Sequence, residues 1–432
     1  MNIAPAMTDL ATTTCIICTL LVPFAGIGLA LINCGLGRSR NAAHSFVASL
    51  FAMASAAAAY FVCGFSWQSV AGNRAHTIRL GSSSWNWLGA EPLFLRGIDF
   101  GSSAGLVAWL GMLCAALAAL IPLGSGGERW RLKGICLSSA LMGGLTYPLF
   151  AHWAWGGGWL SALGTDHGLG RGFVDVGGAA TIQCVGGFSA LAITWILGSR
   201  RGKFHKDGMP AAIPGHNSVF ILFGCLLAMI GWIGLNASGA IVFAGVGVDR
   251  IPQIAINTFL SAGAATLSAA VLTGVRFGKP DASLAANGWV GGLVAASAGC
   301  AFLVPLAAVI IGASAGLIVA TSIELLELRL KIDDPGGSIS VHASAAIWGL
   351  LTVGLFQLPN STGSGQWVAQ LVGVATLIGF VLPLTYGFNL LANRLVPYRV
   401  SLEGERQGMD LHELGSNAYP ELANHLEDFY PR

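Results

Sequence analysis

Charge is what this sequence has least of. Lys and Arg number 22 and Asp and Glu 20 in 432 residues, a charged fraction of 10%. Soluble globular domains carry about 25%, so a soluble protein of this length is excluded. The net charge of +2 provides no basic footprint, and no nucleic-acid partner is expected. The nine cysteines, at positions 15, 18, 34, 63, 114, 136, 184, 225 and 300, have neither the spacing of a disulfide framework nor that of a metal site. All fall in or beside apolar segments, where cysteine behaves as a small hydrophobe. No metal, cofactor or enzymatic chemistry is expected. The opening MNIAPAMTDLATTT contains no basic residue. It lacks the n-region of a secretory signal, so the first helix is expected to be retained.

Apolar length is what the sequence has in place of charge. Hydrophobic residues make up 54%, and a helix needs roughly 20 of them in a row to cross a bilayer. Eleven segments qualify, at 10–33, 42–65, 100–123, 133–155, 175–198, 216–238, 253–275, 284–303, 305–327, 337–357 and 367–393. They predict an all-α polytopic membrane protein with eleven transmembrane helices, a transmembrane domain over 1–395 and a tail over 396–432. Basic residues stay on the cytoplasmic side. With the N-terminus outside, Arg74, Arg79, Arg96, Arg171 and Arg250 are the outer ones, which leaves 17 of the 22 inside. The predicted orientation is N-terminus out and C-terminus cytoplasmic.

One short pattern occurs twice. DVGGAATIQ begins at Asp175 and DPGGSISVH at Asp334. Each reads acid, spacer, two glycines, four small or apolar residues and a polar side chain, Gln183 in one copy and His342 in the other. The copies open segments five and ten, which enter the membrane from opposite sides. Five helices repeated with opposite topology form an inverted repeat, and such repeats place a substrate site near the bilayer midplane. The polar residue falls about 12 Å beyond the acid at the helical rise. A polar side chain at that depth faces a bundle interior or a water path, or bonds a neighbouring helix. The symmetric pair favours a pore lining.

Six stretches stand out together: YPLFAHWAWGGG (147–158), DVGGAATIQ, GHNSVFILFGCLLAMIGWIGLNASG, GWVGGLVAASAGCAF, DDPGGSISVHASAAIWG and the tail SLEGERQGMDLHELGSNAY. By these stretches the chain resembles the ammonium transporter (Amt/Mep/Rh) family over nearly its full length. The resemblance implies a homotrimer in the cell (inner) membrane with one narrow hydrophobic pore per subunit. It also implies ammonium as substrate and a tail that can meet PII-type regulatory proteins. Trp155 matches the tryptophan that recruits the cation at the outer vestibule, where an indole face attracts a cation by roughly 1–2 kcal/mol. Asp175 matches the buried aspartate of helix five. Two roles are open to it: stabilising the entering cation through space, or capping the helix.

Several positions depart from the family pattern. Gln183 stands where a first pore histidine is usual, and only His342 remains of the pair. Glutamine can donate to and accept from that histidine but cannot titrate, so a proton relay through both sites is not expected. The stacked phenylalanines that close the pore are replaced by Leu235 and, by looser alignment, Ala104. Gly239 occupies the place of a cation-binding serine, with Ser238 beside it. Trp232 in the same run is counted among the pore candidates. Asp99, near the outer end of helix three, replaces an apolar residue; it could face the mouth or pair with Arg96. An aromatic wall with a carboxylate is how methylated ammonium ions are recognised. The expected function is channel-like transport of ammonium, ammonia or a related amine. The alternatives are a non-conducting ammonium receptor on the same scaffold and a transporter of larger methylated amines. The chain ends 13 residues after Tyr419, and that short remainder weighs against a signalling output domain.

Overall fold

The computed structural model describes residues 7–80, 83–356 and 365–420. Among these, nine helices are long and apolar enough to cross a bilayer. In chain order the helices are α1 (Asp9–Leu36), α2 (Ser39–Gln68), α3 (Ser103–Gly126), α4 (Leu132–Ala154), α5 (Ala179–Leu197), α6 (Ser218–Ala244), α7 (Val248–Phe277), α8 (Ala282–Ser297), α9 (Pro305–Leu328), α10 (Ile339–Leu355) and α11 (Gln366–Leu395). The two shorter ones are α8, with 16 residues, and the apolar α10. Both are packed among other helices along most of their length.

The centre of the bundle is α3 and α5, each 83% buried over its apolar window, whereas α2 is 28% buried and faces outward. Small residues set the spacing. Helices α1 and α6 cross where a Cβ on Gly28 would lie 2.5 Å from the Gly224 carbonyl oxygen, and one on Gly224 would lie 2.7 Å from that of Gly28. The small-residue run at 261–270 does the same inside the subunit. Gly292 of α8 and Gly312 of α9 close on the backbone of Ser261, and Gly316 of α9 on that of Ala265. Contacts this close replace the hydrophobic drive that lipid cannot supply between helices.

The two copies of the acid–glycine pattern fold alike. In each, the acid and its spacer lie outside the helix and the second glycine takes a left-handed turn, with φ 86° at Gly178 and 67° at Gly337. Each helix then opens with a wide six-residue π turn, Ala179–Cys184 in α5 and Ile339–Ser344 in α10. The helices therefore begin at 179 and 339, later than the predicted 175 and 337, because the aspartates serve as caps. The segment before α5 docks on the end of α8, Val176 and Gly177 donating to the carbonyls of Ala298 and Ser297 at 3.1 and 2.8 Å. The segment before α10 docks on the end of α3, Gly336 donating to Gly124 at 2.9 Å.

The all-α expectation needs one correction. Between α2 and α3 the chain forms an antiparallel pair, β1 (Ala75–Leu80) and β2 (Ser83–Gly89), in register through Thr77–Asn86 and Ile78–Trp85. Alternating Thr, Ile, Trp and Asn suit a half-exposed strand. The pair lies over the end of α4, where Trp153 donates to the carbonyl of Trp87 at 2.8 Å and Asn86 donates to that of Gly157 at 2.9 Å. Trp153 also packs on Trp159, with ring centroids 5.9 Å apart.

Candidate functional site

Trp155 is the first residue past α4. The helix ends there because Gly156, Gly157 and Gly158 follow, Gly157 with φ 81°. The indole is buried, and its Nε1 donates to the Asp175 carbonyl at 2.7 Å. One face is stacked on Phe243 of α6, with centroids 4.1 Å apart and planes 2° from parallel. Beside the two rings lies a cavity of about 340 Å³, whose walls include Thr8, Ser69, Ser103, Val107, Ile241 and Val246. The sequence reading passed over Phe243. The available signal was its place eight residues after Leu235 and four after Gly239, on one helical face.

Asp175 caps α5. Its Oδ2 accepts from the Ala180 and Thr181 amides at 3.1 and 2.9 Å and from the Thr181 hydroxyl at 2.8 Å, while Oδ1 is buried without a protein partner among the described residues. A cap of this kind contributes about 1 kcal/mol. Oδ2 serves the helix end, and the backbone carbonyl holds the Trp155 indole.

Gln183 and His342 meet across the α5–α10 crossing. His342 Nδ1 lies 2.7 Å from Gln183 Oε1. A carbonyl oxygen only accepts, so in this contact Nδ1 carries the proton and donates. Both side chains are buried, and neither is on the wall of the Trp155 cavity. Nearby, Cys184 Sγ lies 3.7 Å from the Ala343 carbonyl.

The other candidates are placed as follows. Leu235 is buried in α6. Ser238 bonds back to its own helix, donating to the carbonyls of Gly234 and Leu235 at 2.8 and 3.2 Å. Trp232 donates to the Ser297 hydroxyl at 3.1 Å and ties α6 to α8. Gly239 passes so near α5 that a Cβ would sit 2.7 Å from the Val176 carbonyl oxygen, which leaves no space for a serine. Ser103 rather than Ala104 is on the cavity wall. Asp99 is exposed four residues before α3 begins and accepts from the Gly101 amide at 2.9 Å. It makes no ion pair among the described residues, and Arg96 instead lies over the Phe94 ring. The structure thus brings together Trp155 with Asp175, and Gln183 with His342. Asp99, Ala104, Ser238 and Trp232 make no hydrogen bond to either pair among the described residues.

The opposite end of the bundle is held by charge. Arg200 pairs with Asp333 through two bonds of 3.0 Å and approaches Glu128 at 3.4 Å. Glu128 also accepts from Arg38, and Arg129 donates to the Asp333 carbonyl at 2.9 Å. Burial pushes the Glu128 carboxyl up, but Arg200 and Arg38 more than offset it and hold it below the usual range. For Asp333, burial acts in the same direction and Arg129 and Arg200 prevail in the same way. Asp334 next door accepts from the Ser338 and Ile339 amides and the Ser125 hydroxyl, which makes it the α10 counterpart of Asp175. The tail folds beneath this end. Of its acids, Glu405 meets Arg201 and Arg399; Asp410 instead accepts from the Ala43 and His44 amides in α2, and Glu413 from the Leu132 amide in α4. Glu403 is exposed. Residues 421–432 of the predicted tail lie outside the described residues.

The Ammonium Transporter Family model matches residues 13–419. Among similar proteins is Ammonium transporter Amt2 of Archaeoglobus fulgidus, 35% identical over 431 residues, covering 94% of this chain and 87% of the relative. The ammonium transporter of Bacillus subtilis is 27% identical, covering 93% of this chain and 96% of its own. Among solved structures, a Sensor Amt Protein superposes with a TM-score of 0.83 at 25% identity, covering 94% of this chain and 98% of that one. Mep2 of Candida albicans gives 0.78 at 22% identity, covering 93% and 89%.

Proposed function

The chain belongs to the ammonium transporter family, and from that premise we propose that it carries ammonium, as the ion or as ammonia, across the membrane through a channel-like path within each subunit. The observation that carries this reading is the buried Gln183–His342 contact of 2.7 Å at the crossing of α5 and α10. A polar pair held inside an apolar bundle is where a small polar molecule finds partners. Trp155 receives the cation, and Asp175 holds the indole in place through its carbonyl. With no titratable group at 183, no proton passes from one site to the other by a histidine relay.

The reading extends to architecture. All eleven helices cross, as two inverted sets of five followed by α11, within a transmembrane unit of residues 1–395; the tail, 396–432, lies in the cytoplasm. Supporting it are the matched caps at Asp175 and Asp334, the matched π turns and the reciprocal contact of Gly28 with Gly224. The distribution of basic residues supports an N-terminus outside the cell (inner) membrane. The reading also includes a homotrimer and a PII-type partner at the tail, and membership of the family supports both. The non-conducting receptor is the second reading, since one similar solved structure is a Sensor Amt Protein.

Flux of ammonium, methylammonium or a quaternary amine into proteoliposomes tests this function. Uptake of ammonium with loss of flux in His342→Ala is expected. Gln183→His should restore a titratable pair and change charge movement or its pH dependence. Binding without flux in the wild type would favour the receptor. Wild-type behaviour in both variants would place the conducting route elsewhere.

A further inference from the structure

We infer that Phe243 is a specificity-determining lid on Trp155, covering the indole face that a cation takes and swinging aside before one binds. This rests on the reading that Trp155 receives the substrate. A cation held by an aromatic face lies within about 6 Å of the ring centroid. The Phe243 ring, 4.1 Å away and parallel to within 2°, stands in that place, and no cation fits between the rings.

The two rings differ in freedom. Trp155 is fixed by its bond to the Asp175 carbonyl, and Asp175 is itself fixed by its three bonds to the first turn of α5. Phe243 is partly buried, on the last turn of α6 and two residues before Gly245, whose φ of 62° ends the helix. It borders the same cavity of about 340 Å³, which has room for the ring when it leaves the stack. Phe243 is therefore the mobile partner.

Ring and cation compete for one face, so apparent affinity is the intrinsic affinity reduced by the fraction of time the lid is open. A methylated cation needs the ring displaced further into the cavity than ammonium does. The same side chain thus sets a threshold for entry and a preference in size. It supplies closure at the mouth in a chain with Leu235 and Ala104 at the positions where phenylalanines are usual.

The test uses full-length protein in detergent, with methylammonium and tetramethylammonium as probes and binding read by calorimetry. Phe243→Ala and Phe243→Leu are expected to tighten methylammonium binding about two- to tenfold, the span that corresponds to one aromatic stack. Tetramethylammonium should gain at least as much. Phe243→Tyr, which restores the ring, should reverse the gain, and in a Trp155→Ala background the gain should vanish. The leucine variant controls for a cavity that disturbs folding. Unchanged or weaker binding in both shortened variants overturns the inference. So does a gain that survives Trp155→Ala, or an absence of binding in every variant. Methylammonium uptake by wild-type proteoliposomes is scored separately: failure there counts against transport, whereas the lid is judged by binding alone.

Discussion

At the Trp155 end, the aspartate that opens α5 is surrounded by neutral groups: two amides, one hydroxyl and an indole. At the tail end, the aspartate that opens α10 has similar neutral partners, but its neighbour Asp333 is gripped by Arg200 and Arg129, and Arg200 reaches on to Glu128. The same acid–glycine start is thus docked backbone to backbone at both ends, and only the tail end adds a buried ion network. On the proposed reading that Trp155 receives the cation, neutral walls suit that end, because the groups bonded to Asp175 bring no positive charge. The network ties together the connections after α1, α3, α5 and α9, which no single helix could join.

Removing Arg200 should separate the two ends most sharply. Arg200→Met leaves Asp333 and Glu128 buried with fewer partners, and breaking a buried pair from one side costs about 3 kcal/mol. Thermal unfolding in detergent should show a large fall in midpoint. Acid should act on the same groups. Both carboxyls are held below their ordinary values of 3.8 and 4.5, so their contribution is complete above those values and is lost as pH falls through the lower folded ones. The midpoint should be level from neutrality to about pH 5 and decline below it. In Arg200→Met the decline should be shallower. An unchanged slope would deny the network its role.

Gly239→Ser probes the neutral end. Its side chain would press on the Val176 carbonyl, and overpacking of this kind costs about 1–3 kcal/mol. The loss should not vary with pH between 4 and 7, in contrast to that at Arg200. A pH-dependent loss would blur the distinction between the ends. Smallest is Glu403→Ala in the tail, which should move stability by no more than about 0.5 kcal/mol, since exposed charges away from such features contribute little. Replacing Glu405, which accepts from Arg201 and Arg399, should exceed it.

What could be read in the sequence was periodic or repeated. The apolar runs located the helices, and the shared skeleton at 175 and 334 led to Gln183 facing His342. What escaped depended on contacts between distant parts of the chain. Arg200 and Asp333 are separated by 133 positions, and nothing in either neighbourhood names the other. Asp410 and Glu413 serve helix ends in α2 and α4 that lie far from the tail in sequence, where unsatisfied amides attract a carboxylate. Phe243 escaped because a lone aromatic at a helix end looks like a lipid-facing residue until its ring is seen against another. The hairpin was overlooked because its strands are short and bounded by apolar helices.

The wide turns at 179–184 and 339–344 are, in effect, one extra residue spliced into each helix at the level of the polar pair. In an α-helix each residue turns the chain by about 100°. The facing of Gln183 and His342 is therefore a matter of phase, set by two insertions of equal size in helices that run in opposite directions. Deleting one residue from a single turn would leave a more regular helix, one residue shorter, whose polar side chain points into its neighbours. The two copies differ in residue type, glutamine in one and histidine in the other, but they are coupled in length.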